Sequence, residues 1–314
     1  MGSGLLTAEQ RRRGHVRRAT AAQGLAEAVT WSFMPAEFAR LFGAAEPVML
    51  ANPISSELGA LRPSVLPNLV LAARRNVDRG EIDGGLFELG PRFTGSEPGQ
   101  QAIALAGIRF GRAVGRGWSA PERAVDAWDA KADADRGPGC RRHQARAVAG
   151  LDRRPGVVPP GPLGRLGLGP LKLAAFGELH PSVLKALDID VPVVGFELDL
   201  DSLPAQRAKA GKTRPALDVW PYPAVERDFA FIVDEAVAAD ALVKAIRQAE
   251  KKLIRDVRLF DVYRGTGVEP GRKSMAISVR LQARDRTLTE AEVEPVVRRI
   301  VEGAGKATGA TLRG

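Results

Sequence analysis

Residues 225–314 carry a pattern of apolar side chains that few folds can accommodate. Apolar residues alternate with other residues over 229–233 and 275–281, as in half-buried strands, and recur at helical spacing over 242–253 and 293–301. The stretch Asp256–Gly265 predicts a further strand, and the closing ATLRG can supply a fourth. The resulting order β-α-β-β-α-β predicts a ferredoxin-like fold, in which both helices cover one face of the sheet and leave the other face free.

The length and composition of the chain indicate a two-domain globular protein. At 314 residues it exceeds one typical domain, and its 45% hydrophobic content is ordinary for a globular chain. The net charge of +9 suggests nucleic acid as a partner, but residues 134–172 alone carry 8 Lys and Arg against 2 Asp. Any RNA site must therefore be inferred from where the basic residues lie and not from overall basicity.

Composition also excludes several classes of protein and of site. The chain has no run of 18 apolar residues, and its first residues lack the apolar core of a signal peptide. We therefore predict no membrane segment and a cytoplasmic location. Cys140 is the sole cysteine, which rules out an internal disulfide and a cysteine-based metal site. The three histidines, His15, His143 and His180, are scattered, and we predict no metal site.

The region before residue 204 mixes helices with strands. Thr7 and Gln10 form a capping-box pattern that predicts a helix to about Gln23. The segment Glu27–Met34 is rich in β-branched and aromatic residues, which predicts a strand. Gly84–Phe93 and Gln101–Gly111 predict two antiparallel neighbours across a Gly/Pro/Ser turn. Together with the C-terminal pattern, these elements predict an α+β protein.

Two segments depart from these patterns. Residues 135–170 are rich in Arg, Pro and Gly and have no sustained apolar period, so a disordered linker is one interpretation. Residues 204–222 are rich in Pro and Lys and predict a connector between domains. We therefore expect one domain over 1–203, which includes the irregular stretch, and a second over 223–314.

Four segments, in order over nearly the whole chain, resemble parts of the bacterial phenylalanyl-tRNA synthetase β subunit. They are ANPISSELGALRPSVLPNLV from Ala51, LFELGPRF from Leu86, FGELHPSVLKALDI from Phe176 and WPYPAVERDFAFIVD from Trp220. The run VRLFDVYRG from Val257 continues the last of them. No single segment would suffice, but their number and order make the match specific.

The resemblance implies both architecture and function. It implies a non-catalytic class II synthetase-like domain with an antiparallel sheet, followed by a ferredoxin-fold anticodon-binding domain. This β-subunit portion would support ATP-dependent charging of tRNA(Phe) by scaffolding the catalytic α subunit, in a heterotetramer, and by binding the anticodon stem-loop. ATP and Mg²⁺ would belong to the whole complex, with no catalytic residue in this chain. Because family members are longer, we expect the chain to begin inside the synthetase-like region, without the family's editing region or upstream magnesium-binding acidic cluster.

The resemblance also bears on residues 135–170. Family members carry a His-Pro-Gly-Arg-Ser stretch shortly before the Gly-Glu-Leu-His-Pro turn, whereas this chain has VPPGPLG from Val158. One set of codons for that run, read one base out of frame, encodes His-Pro-Gly-Arg-Ser. We hypothesise two compensating frameshifts, one near Asp135 and one between Gly164 and Pro170, which resequencing of the gene would test.

Basic residues gather at the end of the first helix and along the second strand of the last domain. With one tyrosine, they are candidates to meet an RNA backbone and to stack a base. The candidate tRNA-binding residues are Lys251, Lys252, Arg255, Arg258, Tyr263, Arg264, Arg272 and Lys273. The alternative is a solvated charged surface, since Glu250, Asp256 and Asp261 are interleaved with them.

Four other candidate sites have simpler structural explanations. They are Arg62 as a ligand-binding arginine, Glu178 with His180 as a metal pair, Asp199 with Asp201 as a cation site, and the run GRLGLGPL as an ATP-binding motif. For the arginine we favour a structural role at a helix entry or subunit contact. The metal pair lacks a third ligand and contains a turn histidine, and the aspartates fit a solvated loop. The glycine-rich run lacks the Glu and Arg of the motif that it approaches.

Two rival functions remain open from the residues. The chain could be a stand-alone or degraded RNA-binding module without enzymatic role, or an unrelated ferredoxin-like regulator that binds a metabolite. Retention of an α subunit with phenylalanylation activity would favour the synthetase interpretation, and tRNA binding alone would favour the module. A tRNA gel shift would test the regulator.

Overall fold

The computed structural model describes residues 5–136, 146–148, 163–168, 171–203 and 219–313. Contacts divide the chain into two compact units, Met1–Gln206 and Arg207–Gly314. Most of the irregular stretch 135–170, including Cys140 and His143, lies outside the described residues, and so does most of the expected connector 204–222. The hypothesis of a frameshift therefore stays a prediction, as do the expected domain limits.

Among its described residues, the first unit is built on a seven-stranded sheet. Its strands are β1 (Ala26–Glu27), β4 (Gly84–Phe93), β5 (Gln101–Phe110), β8 (Arg146–Val148), β9 (Leu163–Leu168), β10 (Leu171–Glu178) and β11 (Val193–Asp199). Their order in the sheet is β1-β4-β5-β11-β10-β9-β8. Two smaller antiparallel pairs are β2 (Phe33–Met34) with β3 (Ala60–Leu61), and β6 (Arg112–Val114) with β7 (Arg123–Ala124). All neighbours in the large sheet are antiparallel except β1 and β4, which are parallel.

Helices cover both faces of this sheet. They are α1 (Ala8–Ala21), α2 (Ala36–Leu41), α3 (Leu66–Val77), α4 (Ala127–Arg136) and α5 (Pro181–Ala186), and a 3₁₀ turn spans Ser56–Leu58. Leu105 of β5 packs in the core that includes α1 and α4, whereas its neighbours Ala104 and Ala106 pack in the core that includes α3 and α5. This alternation is what a strand covered on both faces requires.

Most of the expected elements of the first unit form, with one clear exception. The Thr7–Gln10 capping box begins α1 as expected, and β4 pairs with β5 as expected. The strand expected over Glu27–Met34 is wrong, because only its two ends are strands. The side chains of Arg62 (3.4 Å) and Asn68 both donate to the carbonyl of Trp31, so this carbonyl is not left for a strand partner.

The irregular stretch contributes to the sheet where it is described. Arg146–Val148 and Leu163–Leu168 are strands β8 and β9, and β9 pairs antiparallel with β10. The GRLGLGPL run therefore lies largely within a sheet strand. Its residue Leu166 is fully buried in the core, as expected for a strand residue rather than a phosphate-binding loop.

The second unit has the predicted ferredoxin-like arrangement. Its strands are β12 (Val225–Asp234), β13 (Ile254–Tyr263), β14 (Arg272–Leu281) and β15 (Thr311–Leu312), and its helices are α6 (Ala239–Ala249) and α7 (Glu290–Thr308). The strand order is β13-β14-β12-β15, with every pairing antiparallel. Alternate residues of β12 and β14 pack with α6 and α7 in one core. Helix α7 begins with a Thr289–Glu292 capping box and is followed by the cap residue Gly309, whose φ of +66° suits glycine.

Candidate nucleic-acid interface

The two central strands of the second unit present mostly short side chains on the face opposite the helices. Ala230 pairs with Ala276 and Ile232 with Ser274, and Ser278 continues the same row on β14. Directly paired residues of antiparallel strands point to the same face. Their sequence neighbours, such as Phe231 and Met275, point to the helix side and are buried. We call the five residues Ala230, Ile232, Ser274, Ala276 and Ser278 the floor; four of them have short side chains, and Ile232 has a branched apolar one.

Strand β13 frames the floor on one side. Arg258 pairs with Ser278, Asp261 with Ala276, and Tyr263 with Ser274. The register shifts at Phe260, which has no partner on β14, so the strand has a β-bulge there. In an unbroken strand of the same sequence, Arg258 and Tyr263 would point to opposite faces, because an odd number of positions separates them. The bulge is therefore what brings the arginine and the tyrosine to the same face.

Tyr263 lies at one corner of the floor. Its side chain is among the exposed apolar groups, and 40% of the residue is accessible. Its hydroxyl donates to the carbonyl of Thr266 (3.2 Å), which fixes the ring in the loop after β13. The guanidinium carbon of Arg313 lies 5.7 Å from the ring centroid, within cation–π range. An aromatic ring held in this way is suited to stacking with a nucleobase.

Three of the expected basic residues near this corner are already engaged by acidic or carbonyl groups. Arg264 donates to both carboxylate oxygens of Glu235, and Lys273, which is 9% exposed, donates to the carbonyl of Glu235 (2.7 Å). Arg272 lies 3.6 Å from Asp234 and 3.7 Å from Glu269. The hydrogen bond from Arg264, with its positive charge and that of Lys273, lowers the pKa of Glu235.

The remaining expected residues lie toward the other end of β13. Lys251 and Lys252 are exposed in the turn between α6 and β13. The guanidinium of Arg255 lies 4.3 Å from the ring centroid of Trp220, and that of Arg284 lies 4.8 Å from it. Gln282 donates to the carbonyl of Trp220 (3.4 Å), which ties the segment before β12 to the end of β14. The structure therefore separates the eight expected residues into two groups at opposite ends of the floor, with Arg258 between them.

Two basic residues at the floor were not among the expected eight. Arg280 is exposed and pairs with Glu226 on β12 and Asp256 on β13, so it belongs to the same face. Its place follows from the alternation of Met275, Ile277, Val279 and Leu281, since the residues between them must face the other way. Arg313 gives no such signal, because its contact with Tyr263 depends on the tertiary fold. Carboxylates are interleaved with these arginines, so the face is not uniformly positive.

The first unit holds a buried charged cluster rather than an open site. Arg62 is 1% exposed and donates to the carbonyl of Pro91 (2.7 Å) and the hydroxyl of Thr30 (3.0 Å). It also forms an ion pair with buried Glu88 (2.9 Å), which accepts a hydrogen bond from Thr30 (2.6 Å). These contacts support the structural interpretation of Arg62. They fasten the segment before β2 to strand β4.

Glu197 lies on the same row of the sheet, since both it and Glu88 pair with Ala106. It accepts hydrogen bonds from the Ser64 hydroxyl (3.0 Å) and the Val65 amide (2.9 Å) at the start of α3. The residue as a whole is half-buried, but its carboxyl group is buried. This burial raises the pKa of Glu197, although the two hydrogen bonds act to lower it. The arrangement positions α3 on the sheet.

The other candidate sites of the first unit also have local explanations. His180 accepts a hydrogen bond from the Ser182 amide (3.1 Å) at the start of α5, as a turn residue would. Asp199 accepts from Arg92 (2.9 Å) and from the amides of Asp201 and Ser202 (both 3.1 Å). Within the described ranges, no group of three His, Cys, Asp or Glu side chains could hold a metal ion. No helix of the described chain is long and apolar enough to span a membrane.

Comparisons with known proteins agree with this architecture. Residues 1–200 match the family model of the phenylalanyl tRNA synthetase beta chain CLM domain, and residues 221–313 match that of the ferredoxin-fold anticodon binding domain. The chain is 53% identical to a phenylalanine--tRNA ligase beta subunit of Paramagnetospirillum magneticum, with 99% of this chain and 39% of that protein aligned. It is 49% identical to the corresponding protein of Rhodospirillum rubrum, with 100% of this chain and 39% of that protein aligned. It thus spans about two fifths of the length of these relatives.

Proposed function

Because the chain belongs to the phenylalanyl-tRNA synthetase β-chain family, we propose that it is the β-subunit portion of a phenylalanine–tRNA ligase. In this proposal it works in the cytoplasm with a catalytic α subunit, in a heterotetramer that attaches phenylalanine to tRNA(Phe). ATP and Mg²⁺ are bound by the complex, and this chain supplies scaffold and RNA contacts. The match of the CLM family model to residues 1–200 carries the assignment, and the anticodon-binding family model extends it to the second unit.

The second unit is proposed to bind the anticodon stem-loop on the floor and its frame. The floor has mostly short side chains that leave room for a nucleotide chain, Tyr263 offers a ring for stacking, and Arg258 and Arg280 can reach the phosphates. Of the residues expected from the sequence, Arg258 and Tyr263 are proposed as direct contacts. The others are proposed as flanking contacts or supports, namely Lys251, Lys252, Arg255, Arg264, Arg272 and Lys273.

The first unit is proposed to contact the α subunit. Arg62, which the sequence presents as a candidate ligand-binding arginine, makes these hydrogen bonds inside the fold. Around the segment that it fastens, Trp31, Met49 and Ile54 are exposed apolar side chains, and Trp31 stacks on Phe33 (6.4 Å between ring centroids). Exposed groups of this kind are typical of surfaces that a partner covers.

Binding of a labelled tRNA(Phe) anticodon stem-loop tests the RNA half of the proposal. We expect Tyr263→Ala to lower the affinity by about 1–3 kcal/mol, the range for loss of one base–aromatic stack. Arg298→Ala is the matched control, because Arg298 is an exposed arginine of α7 whose ion-pair partner, Glu294, lies on the same helix. Failure of the wild-type chain to bind the stem-loop above its affinity for an unrelated RNA hairpin would contradict the proposal.

Co-expression with the α subunit tests the protein half. We expect the two chains to co-purify, and we expect Ile54→Asp to weaken their association because it places a charge on the proposed contact. Trp118→Asp is the control, since Trp118 is a fully exposed apolar residue in the β6–β7 loop. RNA binding without retention of an α subunit would instead favour a stand-alone RNA-binding module.

A further inference from the structure

The backbone of Trp31 is bound inside the first unit, although its side chain is exposed. Its carbonyl accepts hydrogen bonds from the side chains of Arg62 (3.4 Å) and Asn68, both of which are buried. Trp31 itself is 63% exposed, and Val29, two positions earlier, is 88% exposed. Buried donors therefore fix the backbone of a segment whose large apolar side chains lie in solvent.

Thr30 joins the same segment to a buried ion pair. Its hydroxyl accepts a hydrogen bond from Arg62 (3.0 Å) and donates one to Glu88 (2.6 Å). Arg62 and Glu88 lie 2.9 Å apart, and both are buried. Burial of an ion pair costs desolvation free energy, and hydrophobic side chains can often replace such a pair without loss of stability. What the pair does for this segment is to hold Thr30 and Trp31 in one conformation.

A neighbouring segment adds two more exposed apolar side chains. Met49 forms a bridge with Ala60 of β3, and β3 pairs with β2, which directly follows the Trp31 segment. Met49 and Ile54 are both exposed. We call the four exposed apolar residues of positions 29–61 the Trp31 surface; they are Val29, Trp31, Met49 and Ile54.

The charges of the same stretch indicate which kind of partner suits this surface. Residues 29–61 contain three glutamates, Glu37, Glu46 and Glu57, against one arginine, Arg40, which gives a net charge of −2 in a chain of +9. All three glutamates are exposed, and none has an ion-pair partner among the described residues. Exposed carboxylates repel an RNA backbone. They complement a protein face on which Lys and Arg border an apolar pocket.

We propose that the Trp31 surface is a preformed docking site for the α subunit, which covers it with an apolar pocket bordered by basic side chains. In this proposal Trp31 is the anchor, and Arg62 and Asn68 are the residues that position it. The inference deepens the proposed function and rests on it. Tryptophan side chains at the centre of an interface often carry much of the binding free energy, whereas charges at its rim mainly change the rate of association. An anchor that is already held in its bound conformation lowers the free-energy cost of binding.

Association rates at two salt concentrations test the charge of the partner. We measure binding of the purified α subunit to the full chain carrying Glu46→Lys, Glu57→Lys or the control Glu302→Lys. The control makes the same change of charge at an exposed glutamate of α7 in the second unit. The first two variants should slow association about threefold or more near 0.05 M salt and by less near 0.5 M, because salt screens exposed charges. Wild-type rates in both variants, or faster association, would overturn the basic border.

A thermodynamic cycle tests whether the buried residues act through Trp31. Trp31→Ala should weaken binding about 30-fold or more, as at an interface hot spot. Asn68→Leu, and the double variant Arg62→Met with Glu88→Gln, should each weaken it about tenfold, with circular dichroism confirming that each is folded. In combination with Trp31→Ala neither change should add a further loss, because the anchor that it positions is gone. Losses that add in full would overturn the positioning role.

Two further measurements separate this inference from the proposed function. Trp118→Ala removes another exposed tryptophan and should bind the α subunit as the wild type does. If the chains associate but Trp31→Ala keeps wild-type affinity, the docking site is overturned and the proposed function stands. If Trp31→Ala lowers affinity for tRNA(Phe) and not for the α subunit, the surface binds RNA and the inference is likewise overturned. If the wild-type chain retains no α subunit, the proposed function fails and this inference fails with it.

Discussion

Arg264 donates two hydrogen bonds to Glu235, with its Nη2 2.7 Å and its Nε 3.1 Å from the same carboxylate oxygen. This hydrogen bonding is the main reason why the pKa of Glu235 is lowered, and the charges of Arg264 and Lys273 add to it. The pair joins the residue after β13 to the residue that follows β12, beside Tyr263. It therefore holds the end of β13, which carries Tyr263, to the central part of the sheet.

The first prediction concerns the titration of Glu235. We expect Arg264→Ala to raise the pKa of Glu235 toward its ordinary value, because the hydrogen bond and the nearest positive charge are lost. A carboxyl group whose pKa is lowered by folding stabilises the fold above its unfolded pKa, and this contribution is lost as the pH falls through the folded value. The stability difference between wild type and variant should thus shrink below about pH 4. Carboxyl ¹³C NMR measures the titration, and Arg286→Ala should leave Glu235 unchanged because Arg286 pairs with Glu292.

The second prediction concerns the buried ion pair of the first unit. Arg62→Met should destabilise that unit by about 3–5 kcal/mol, because it leaves the Glu88 carboxylate buried without its partner. Urea unfolding measures the loss. The double variant Arg62→Met with Glu88→Gln should lose less than the two single variants together, since it leaves no unpaired charge. Additive losses would mean that the two side chains do not interact in the folded protein.

The third prediction concerns the indole ring at the other end of the second unit. Trp220→Ala should destabilise this unit by roughly 1–2 kcal/mol, because two guanidinium groups lose their aromatic partner. Trp220→Phe should retain part of the stability. Trp220 is the sole tryptophan of residues 207–314, so amide hydrogen exchange of β12 and β14, rather than fluorescence, is the measurement that serves all variants. Unchanged protection in Trp220→Ala would show that the stack contributes nothing.

The fourth prediction concerns a carboxyl group with a raised pKa. Burial disfavours the ionised form of Glu197 in the folded state, so folding favours its protonated form. Stability from this group is present below its unfolded pKa of about 4.3 and is lost as the pH rises through the raised folded pKa. Relative to Glu197→Gln, the wild type should therefore lose unfolding free energy as the pH rises from about 4. Parallel stability curves for the two proteins would contradict a raised pKa.

The ferredoxin-like unit could be predicted from the sequence because its pattern is local. Alternation over Phe229–Val233 and Met275–Leu281 shows which residues face the helices, and it follows that Ser274, Ala276 and Ser278 face the other way. The expected α+β architecture is confirmed for this reason, together with the family match. The same alternation would also have placed Arg280 on the floor.

What the sequence could not show depends on contacts between distant residues. The strand expected over Glu27–Met34 is interrupted because the side chains of Arg62 and Asn68, more than thirty positions away, bind the carbonyl of Trp31 in its middle. The sequence could not show that Arg264 and Lys273 both bind Glu235, because Glu235 follows a different strand, β12. The bulge at Phe260 breaks the alternation of β13, so the faces of Arg258 and Tyr263 could not be derived by counting.

The last prediction concerns that bulge. Deletion of Phe260 removes the residue that has no partner on β14, so β13 should pair with β14 in an unbroken register in which Arg258, Asp261 and Tyr263 still face the floor. The deletion variant should therefore bind the stem-loop much more tightly than Tyr263→Ala, which loses about 1–3 kcal/mol of affinity. Phe260→Ala is the matched control, since it removes the exposed ring but keeps the extra residue. If the deletion variant is folded and loses as much stem-loop affinity as Tyr263→Ala, the bulge itself contributes to RNA binding, and the face on which Tyr263 lies does not suffice.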